Sequence, residues 1–252
     1  MAWGSLYLDS IRHTIGQGAA EIQRNVIANR GLGLPVGELE LEFCKYEKRG
    51  PVAYVTIARP EVMNALHAEA HFELASVWDD FLADAGLRVG VLTGEGDRAF
   101  CAGRDLKDRA RRSGDGPDRP ATGGGGLTHR FEREKPIIAR VNGFALGGGL
   151  EIALACDIIV AADHAEFALP EPRRGLIAGA LGVHRLPRHL PLKVAMGYLL
   201  SGRHMDARRA FEVGLVNEVV PYSRLDAAVE RWVAEILESG RETAGAWELA
   251  VR

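Results

Sequence analysis

Asn142-Gly-Phe-Ala-Leu-Gly-Gly-Gly-Leu-Glu151 is the stretch whose reading decides the fold. It follows Ile137-Ile-Ala-Arg-Val141, an apolar run short enough to be a strand. The triplet Gly147–Gly149 predicts a tight turn, and Leu150–Ala155 suits a helix opening directly from it. Ile158-Ile-Val160 then returns to a strand. Glycines at such a turn expose backbone N–H groups and let a ligand approach with no Cβ in the way. Those groups can hold a carbonyl oxygen as it gains negative charge, which is an oxyanion hole. Glu151 projects from the first helical turn beside it. Taken alone, the stretch fits equally a plain glycine-rich turn with a carboxylate at a helix N-terminus.

Two further segments extend the pattern. Phe167-Ala-Leu-Pro-Glu-Pro-Arg-Arg-Gly175 puts Glu171 on a loop after the next strand. Phe100-Cys-Ala-Gly-Arg-Asp-Leu-Lys107 supplies another turn after a strand, and its Gly103-Arg104 peptide offers a second N–H donor. Lys107, Arg109, Arg111 and Arg112 read either as a local cationic patch suited to phosphates or as a solvated helix face. Upstream, Leu39, Leu41 and Phe43 alternate with acidic residues as in a strand, and Val52–Ile57 forms the next one. The spacing of Leu74, Val77, Trp78 and Phe81 predicts a helix over Ala68–Ala83, followed by a strand at Val89–Thr93. Strand, helix, strand in that order favours a right-handed crossover and a parallel sheet, hence an α/β fold. Residues 113–126, rich in Gly, Pro and Asp, read as a mobile surface loop. From Leu186 onward the chain reads as helical and ends in the amphipathic segment Leu225–Leu237. The first 37 residues differ in character, with a helix over 19–30 and a linker at Pro35-Val-Gly37.

Composition narrows the function. A net charge of -3 supplies no global basic field for nucleic acid. Cys44, Cys101 and Cys156 are odd in number and widely spaced, which fits a reducing compartment better than a disulfide framework. The N-terminus lacks the form of a secretory signal, and no apolar run reaches the roughly 20 residues of a membrane span. The expectation is a soluble, cytoplasmic protein with no membrane partner. His67 and His71 stand i, i+4 on the predicted helix, a metal-compatible spacing with no third ligand beside it, so no metal is expected. No Gly-x-Ser-x-Gly elbow supports a serine hydrolase. Gly123–Gly126 lacks the strand and Lys-Ser/Thr that would make it a phosphate cradle, so it reads as loop.

These segments, with Arg59-Pro-Glu-Val-Met-Asn-Ala-Leu66 before them and Gly202-Arg203 and Gly214-Leu-Val-Asn217 after, stand in a fixed order. Over residues 38–252 they closely resemble the enoyl-CoA hydratase/isomerase (crotonase) superfamily. The resemblance implies a crotonase-like spiral of ββα units and an acyl-CoA thioester as substrate. It implies an oxyanion hole from the backbone N–H groups of Arg104 and Gly148. It also implies CoA or substrate contacts from Ala102, Gly103, Asp105, Leu106, Lys107, Gly147 and Gly179. The hydratases of that superfamily use two glutamates, matched here by Glu151 and Glu171. By analogy Glu151 activates water at the β-carbon and Glu171 delivers the α-proton, interconverting 2-enoyl-CoA and 3-hydroxyacyl-CoA. No separate cofactor is implied, since CoA is part of the substrate, and the assembly implied is a homotrimer or hexamer. An isomerase of the same fold, using one carboxylate, and a catalytically silent acyl-CoA-binding protein are the rival readings.

Several positions depart from the family pattern. Arg104 stands where many relatives carry a small residue. Gly179-Ala-Leu-Gly182 resembles a Gly-Ala-Gly-Gly turn with Leu181 in place of a glycine, at a cost of roughly 1 kcal/mol if φ there is positive. The Leu169-Pro-Glu-Pro172 setting of Glu171 looks like that of the carnitinyl-CoA dehydratase branch. Residues 5–35 resemble the C-terminal tail of acyl-CoA dehydrogenases, so 1–37 is expected to be an appendage. The chain ends at Arg252, short of the last helices that the resemblance implies for trimer contacts and for covering CoA.

Overall fold

Valine- and isoleucine-rich runs separated by turn residues give the chain its strands, and each takes its place in one of two sheets. The computed structural model describes residues 39–111 and 117–239, with the side chains of 109–111 outside that description. The expected helix over 19–30, the tail-like segment 5–35, Arg112 and the chain end lie outside the described residues.

Strands β1 (Cys44–Arg49) and β2 (Val52–Ile57) form an antiparallel pair around Gly50-Pro51. Helix α1 (Ala68–Ala83) crosses over to β3 (Val89–Gly94), which pairs parallel with β2. The chain then winds through β4 (Ala99–Cys101), α2 (Leu106–Arg111), β5 (Ile137–Val141), β6 (Phe144–Leu146), α3 (Gly148–Ala153), β7 (Ile158–Ala162) and β8 (Glu166–Ala168). Helices α4 (Gly182–His189) and α5 (Leu192–Ser201) follow, then β9 (Met205–Asp206), α6 (Ala207–Glu212), β10 (Glu218–Val220) and α7 (Leu225–Glu238). One sheet has the order β1-β2-β3-β5-β7-β10 and the other β4-β6-β8-β9. Each of the three central turns (β3-β4, β5-β6 and β7-β8) therefore gives its first strand to the large sheet and its second to the small one.

The corners between the sheets are tight. Only Asn142 and Gly143 separate β5 from β6. The Asn142 side chain is fully buried, donating from Nδ2 to the carbonyls of Gly94 (2.8 Å) and Gly96 (2.7 Å) and accepting the Gly94 N–H at Oδ1 (3.2 Å). It thereby satisfies backbone groups of the previous turn that no strand ladder reaches. A Cβ on Gly143 would stand 2.3 Å from the Arg98 carbonyl oxygen, so only glycine fits. On one face of the large sheet Val89, Val91, Ile138 and Val160 pack under Leu225, Val229 and Val233 of α7. On the other, Gly90 leaves room for Trp78 and Phe81 of α1, both fully buried.

Three expectations need correction. The alternation at Leu39, Leu41 and Phe43 does not make a regular strand; the ladder begins at Cys44. The N–H groups of Glu42 and Phe43 donate to the Glu73 carboxylate (3.0 and 2.8 Å), which competes with strand pairing. The region after Leu186 is not wholly helical, because β9 and β10 add to the edges of the two sheets. The end of the supposed mobile loop is buried: Gly123–Thr128 are all buried, and Gly124–Gly126 form a short 3-10 turn wedged between α1 and α3. The Trp78 indole N–H donates to the Gly125 carbonyl at 3.0 Å. Glycine clusters are loop-like in general, but here the missing Cβ atoms are what permit the packing. A Cβ on Gly126 would lie 2.4 Å from the Ala75 Cα, at φ +65.

Gly126→Ala should therefore lower the unfolding free energy by about 3 kcal/mol, combining overpacking with left-handed strain. Gly50→Ala, also at positive φ but with open space around it, should cost only about 1 kcal/mol. Urea denaturation of the two variants checks this; equal losses would contradict the packing account.

Candidate active site

The three glycines of the triplet occupy different surroundings. Gly147 has φ 53, and a Cβ on it would lie 2.8 Å from Oε1 of Glu171. Gly149 rests on the main chain of β4, where a Cβ would stand 1.9 Å from the Cys101 carbonyl oxygen. Gly148 opens α3, at a position where a backbone N–H has no acceptor within its own helix. Its α-carbon faces the neighbouring turn of the spiral: a Cβ there would lie 3.5 Å from the Gly103 Cα and 3.8 Å from the Arg104 nitrogen.

The second turn is equally constrained. Gly103 has φ +89, and Leu66 donates to its carbonyl (2.8 Å) while Asp105 donates to the Leu66 carbonyl (2.9 Å). This parallel bridge uses the groups on either side of Arg104, which turns the Arg104 N–H to the opposite edge. That edge is the one facing Gly148. Two chain segments far apart in sequence thus bring their backbone N–H groups to one place at the mouth of a cleft.

Two carboxyl groups line the same cleft. Glu151, 3% exposed, accepts the Gly182 N–H at 2.8 Å. Burial raises its pKa, partly offset by backbone N–H groups of Gly182 and Ala180 and by the charges of Arg119 and Arg185. Glu171 opens a short 3-10 turn, Glu171–Arg174, held by Pro170 and Pro172. Burial raises its pKa as well, its own backbone N–H acts against that, and the Glu151 charge adds to the rise. Its Oε2 is buried with no hydrogen-bond partner among the described residues. A carboxyl so placed favours holding a proton.

Leu181 adopts φ 78, ψ 10, so φ at this turn is positive and the conformation is left-handed. The strain, about 1 kcal/mol, belongs to the geometry that starts α4 with the Gly182 N–H aimed at Glu151.

The cleft encloses about 360 Å³ and is lined by Ala102, Gly103, Arg104, Leu106, Gly147, Gly148, Glu151, Glu171 and Gly179 among the residues expected at the site. Asp105 and Lys107 are not in its lining. Asp105 instead accepts the N–H groups of Lys107 (3.1 Å) and Asp108 (3.2 Å) and pairs with Arg59 (3.2 Å), fixing the turn from behind. Lys107 is exposed. The Arg104 side chain pairs with Asp118.

Other lining residues carried no signal for this role: Leu66, His71, Arg119, Gly124, Ile152, Leu176 and Ile177. His71 and His67 share a helix but serve separate contacts. His67 packs edge-on against Phe43 with centroids 4.3 Å apart, whereas Nδ1 of His71 accepts the Gly125 N–H at 2.8 Å. The glycine run after residue 122 was the usable signal for His71, since its backbone needs buried partners. Among the described residues no helix is long and apolar enough to cross a membrane.

Comparison with known proteins agrees with this architecture. Residues 47–251 match the family model described as enoyl-CoA hydratase/isomerase. A carnitinyl-CoA dehydratase of Citrobacter koseri is 42% identical over 200 residues, covering 79% of this chain and 76% of the relative. Among solved structures, a carnitinyl-CoA dehydratase from Mycobacterium avium superposes with a TM-score of 0.79 at 42% identity, covering 84% of this chain and 82% of that one. An enoyl-CoA hydratase from Mycobacterium tuberculosis gives 0.76 at 40% identity, with coverages of 82% and 80%. The chain belongs to the enoyl-CoA hydratase/isomerase family, and its spiral of ββα turns is the crotonase fold.

The raised carboxyl pKa values make a stability prediction. Between the ordinary value of 4.5 and the higher folded-state values, the folded chain binds more protons than the unfolded chain. Unfolding free energy contributed by these groups therefore falls as pH rises through that window. The Glu151→Gln/Glu171→Gln variant lacks both groups and should gain on the unaltered protein as pH increases from 5 to 8. Urea midpoints across that range test it; a difference independent of pH would contradict the shifts.

Proposed function

We propose that this protein is a hydro-lyase acting on a 2-enoyl-CoA, adding water to give a 3-hydroxyacyl-CoA or removing it in reverse. The observation that carries the reading is the convergence of two carboxyl groups, Glu151 buried and Glu171 half-buried, both with raised pKa, on one cleft beside a helix-opening glycine. Family membership and relatives named as hydratases and dehydratases support the same chemistry.

The thioester carbonyl oxygen accepts the N–H groups of Arg104 and Gly148. Polarised in this way, the conjugated alkene is electron-poor at its β-carbon. Glu151, ionised, takes a proton from water as the oxygen bonds to that carbon, and the alkene electrons move onto the carbonyl oxygen. Glu171, protonated, then gives its proton to the α-carbon as the carbonyl re-forms. The two carboxyl groups end in exchanged protonation states, and solvent exchange resets them. Dehydration runs the same steps backwards. Protein groups alone balance every proton in the cycle. The reading also includes a cytoplasmic enzyme assembled as a homotrimer or hexamer, with residues 1–37 an appendage.

Glu171→Gln should cut hydration by about 10²- to 10⁴-fold while CoA-thioester affinity stays close to that of the unaltered protein. Glu151→Gln should cut hydration as severely, yet leave exchange of the α-proton with deuterated water measurable in the saturated thioester. Steady-state kinetics, calorimetry and NMR read the three quantities. Near-normal hydration by Glu171→Gln would overturn the assignment and favour an isomerase or a silent acyl-CoA-binding protein.

A further inference from the structure

The composition of the cleft beyond Glu151 points to the tail of the acyl group; the argument rests on the hydro-lyase reading above. With the carbonyl oxygen held at Arg104 and Gly148 and the β-carbon beside Glu151, whatever follows the β-carbon runs past Glu151. The cleft lining includes Ile152, the residue after Glu151 on α3, together with Gly124, His71 and Arg119.

His71 is 5% exposed, so its ring is almost wholly enclosed. Its Nδ1 accepts the Gly125 N–H, and because an amide N–H can only donate, the ring proton must sit on Nε2. Burial first, then the positive charges of Arg119 and Arg104, depress its pKa to about 3. The ring is thus neutral at physiological pH and its tautomer is set. Among the described residues Nε2 has no acceptor, which leaves it a donor in a site it lines.

Arg119 completes the arrangement. Its Nε is buried with no hydrogen-bond partner among the described residues. The adjacent Asp118 pairs with Arg104, and no ion pair among the described residues includes Arg119. An arginine N–H held out of water with no acceptor is costly unless a ligand brings one. Of the other charged groups lining this space, Glu151 lies within electrostatic reach of Arg119, Arg104 pairs with Asp118, and Arg174 is exposed.

We propose that Arg119 and His71 form a subsite for a carboxylate at the far end of the acyl group. The favoured substrates are then monothioesters of short unsaturated dicarboxylic acids. A carnitinyl tail carries a quaternary ammonium instead, and would bring that charge against Arg119.

The test compares three 2-enoyl-CoA substrates of equal chain length, ending in a carboxylate, a methyl group or a trimethylammonium group. The protein should show kcat/KM at least about tenfold higher for the carboxylate than for the methyl-ended substrate, with the trimethylammonium substrate poorest. In Arg119→Met the ratio of carboxylate to methyl should fall to about one, and Arg119→Lys should restore part of it. A preference for the methyl or trimethylammonium substrate in the unaltered protein overturns the subsite. So does an Arg119→Met variant whose kcat/KM falls equally for all three, which would mark Arg119 as a support for Glu151 only. If no enoyl thioester is hydrated, the hydro-lyase reading fails, and calorimetric affinities for the three saturated thioesters decide the subsite separately. Tightest binding of the carboxylate-ended thioester sustains it, and any other order overturns it.

Discussion

Successive turns of this spiral touch through their main chains, and the site exists because they do. A Cβ on Gly149 would stand 1.9 Å from the Cys101 carbonyl oxygen, and one on Gly103 would stand 2.7 Å from that of Leu146. Backbones that meet this closely cannot slide relative to one another, because packed interiors yield little to strain. The contact holds the Gly103-Arg104 peptide against the start of α3. Two distant stretches of sequence therefore lie side by side, and the proposed pair of N–H donors at Arg104 and Gly148 rests on that proximity.

The same close packing accounts for the electrostatics. The Gly123–Thr128 segment fills the space between α1 and α3, so Ile152 and His71 are sealed from solvent on one side. Glu151, at the edge of this region, loses hydration, and its pKa rises. The α4 N-terminus compensates in part, because the left-handed turn at Leu181 aims the Gly182 N–H at the carboxylate. Backbone strain of this kind persists where the surrounding structure over-determines it. A leucine in place of a glycine at this turn thus coexists with an intact contact to Glu151.

Much of this was legible in residue order. Helix α1 occupies the span its apolar spacing indicates, since Leu74, Val77, Trp78 and Phe81 do face the core. The Gly147–Gly149 turn and the helix after it follow from local chemistry alone. The four-glycine run beginning at Gly123 was misleading, because glycine clusters mark a loop unless a neighbour needs the empty space, and that neighbour, Ala75, lies 51 positions upstream. Asp105 misled in another way: its carboxylate is consumed by the turn it sits in and by Arg59.

The sequence by itself determined the α/β class, the order of the main strands and helices as far as Leu186, and which residues could act as acids, bases and donors. Those follow from periodicity, turn chemistry and side-chain type, all of which operate over a few residues. Only the tertiary structure decided that His71 and Arg119 line the cleft with Glu151 and Glu171, and that Lys107 does not. It also decided the tautomer of His71 and the upward drift of both carboxyl pKa values. These depend on burial and on contacts between groups tens of residues apart, and a linear pattern does not contain distances through space.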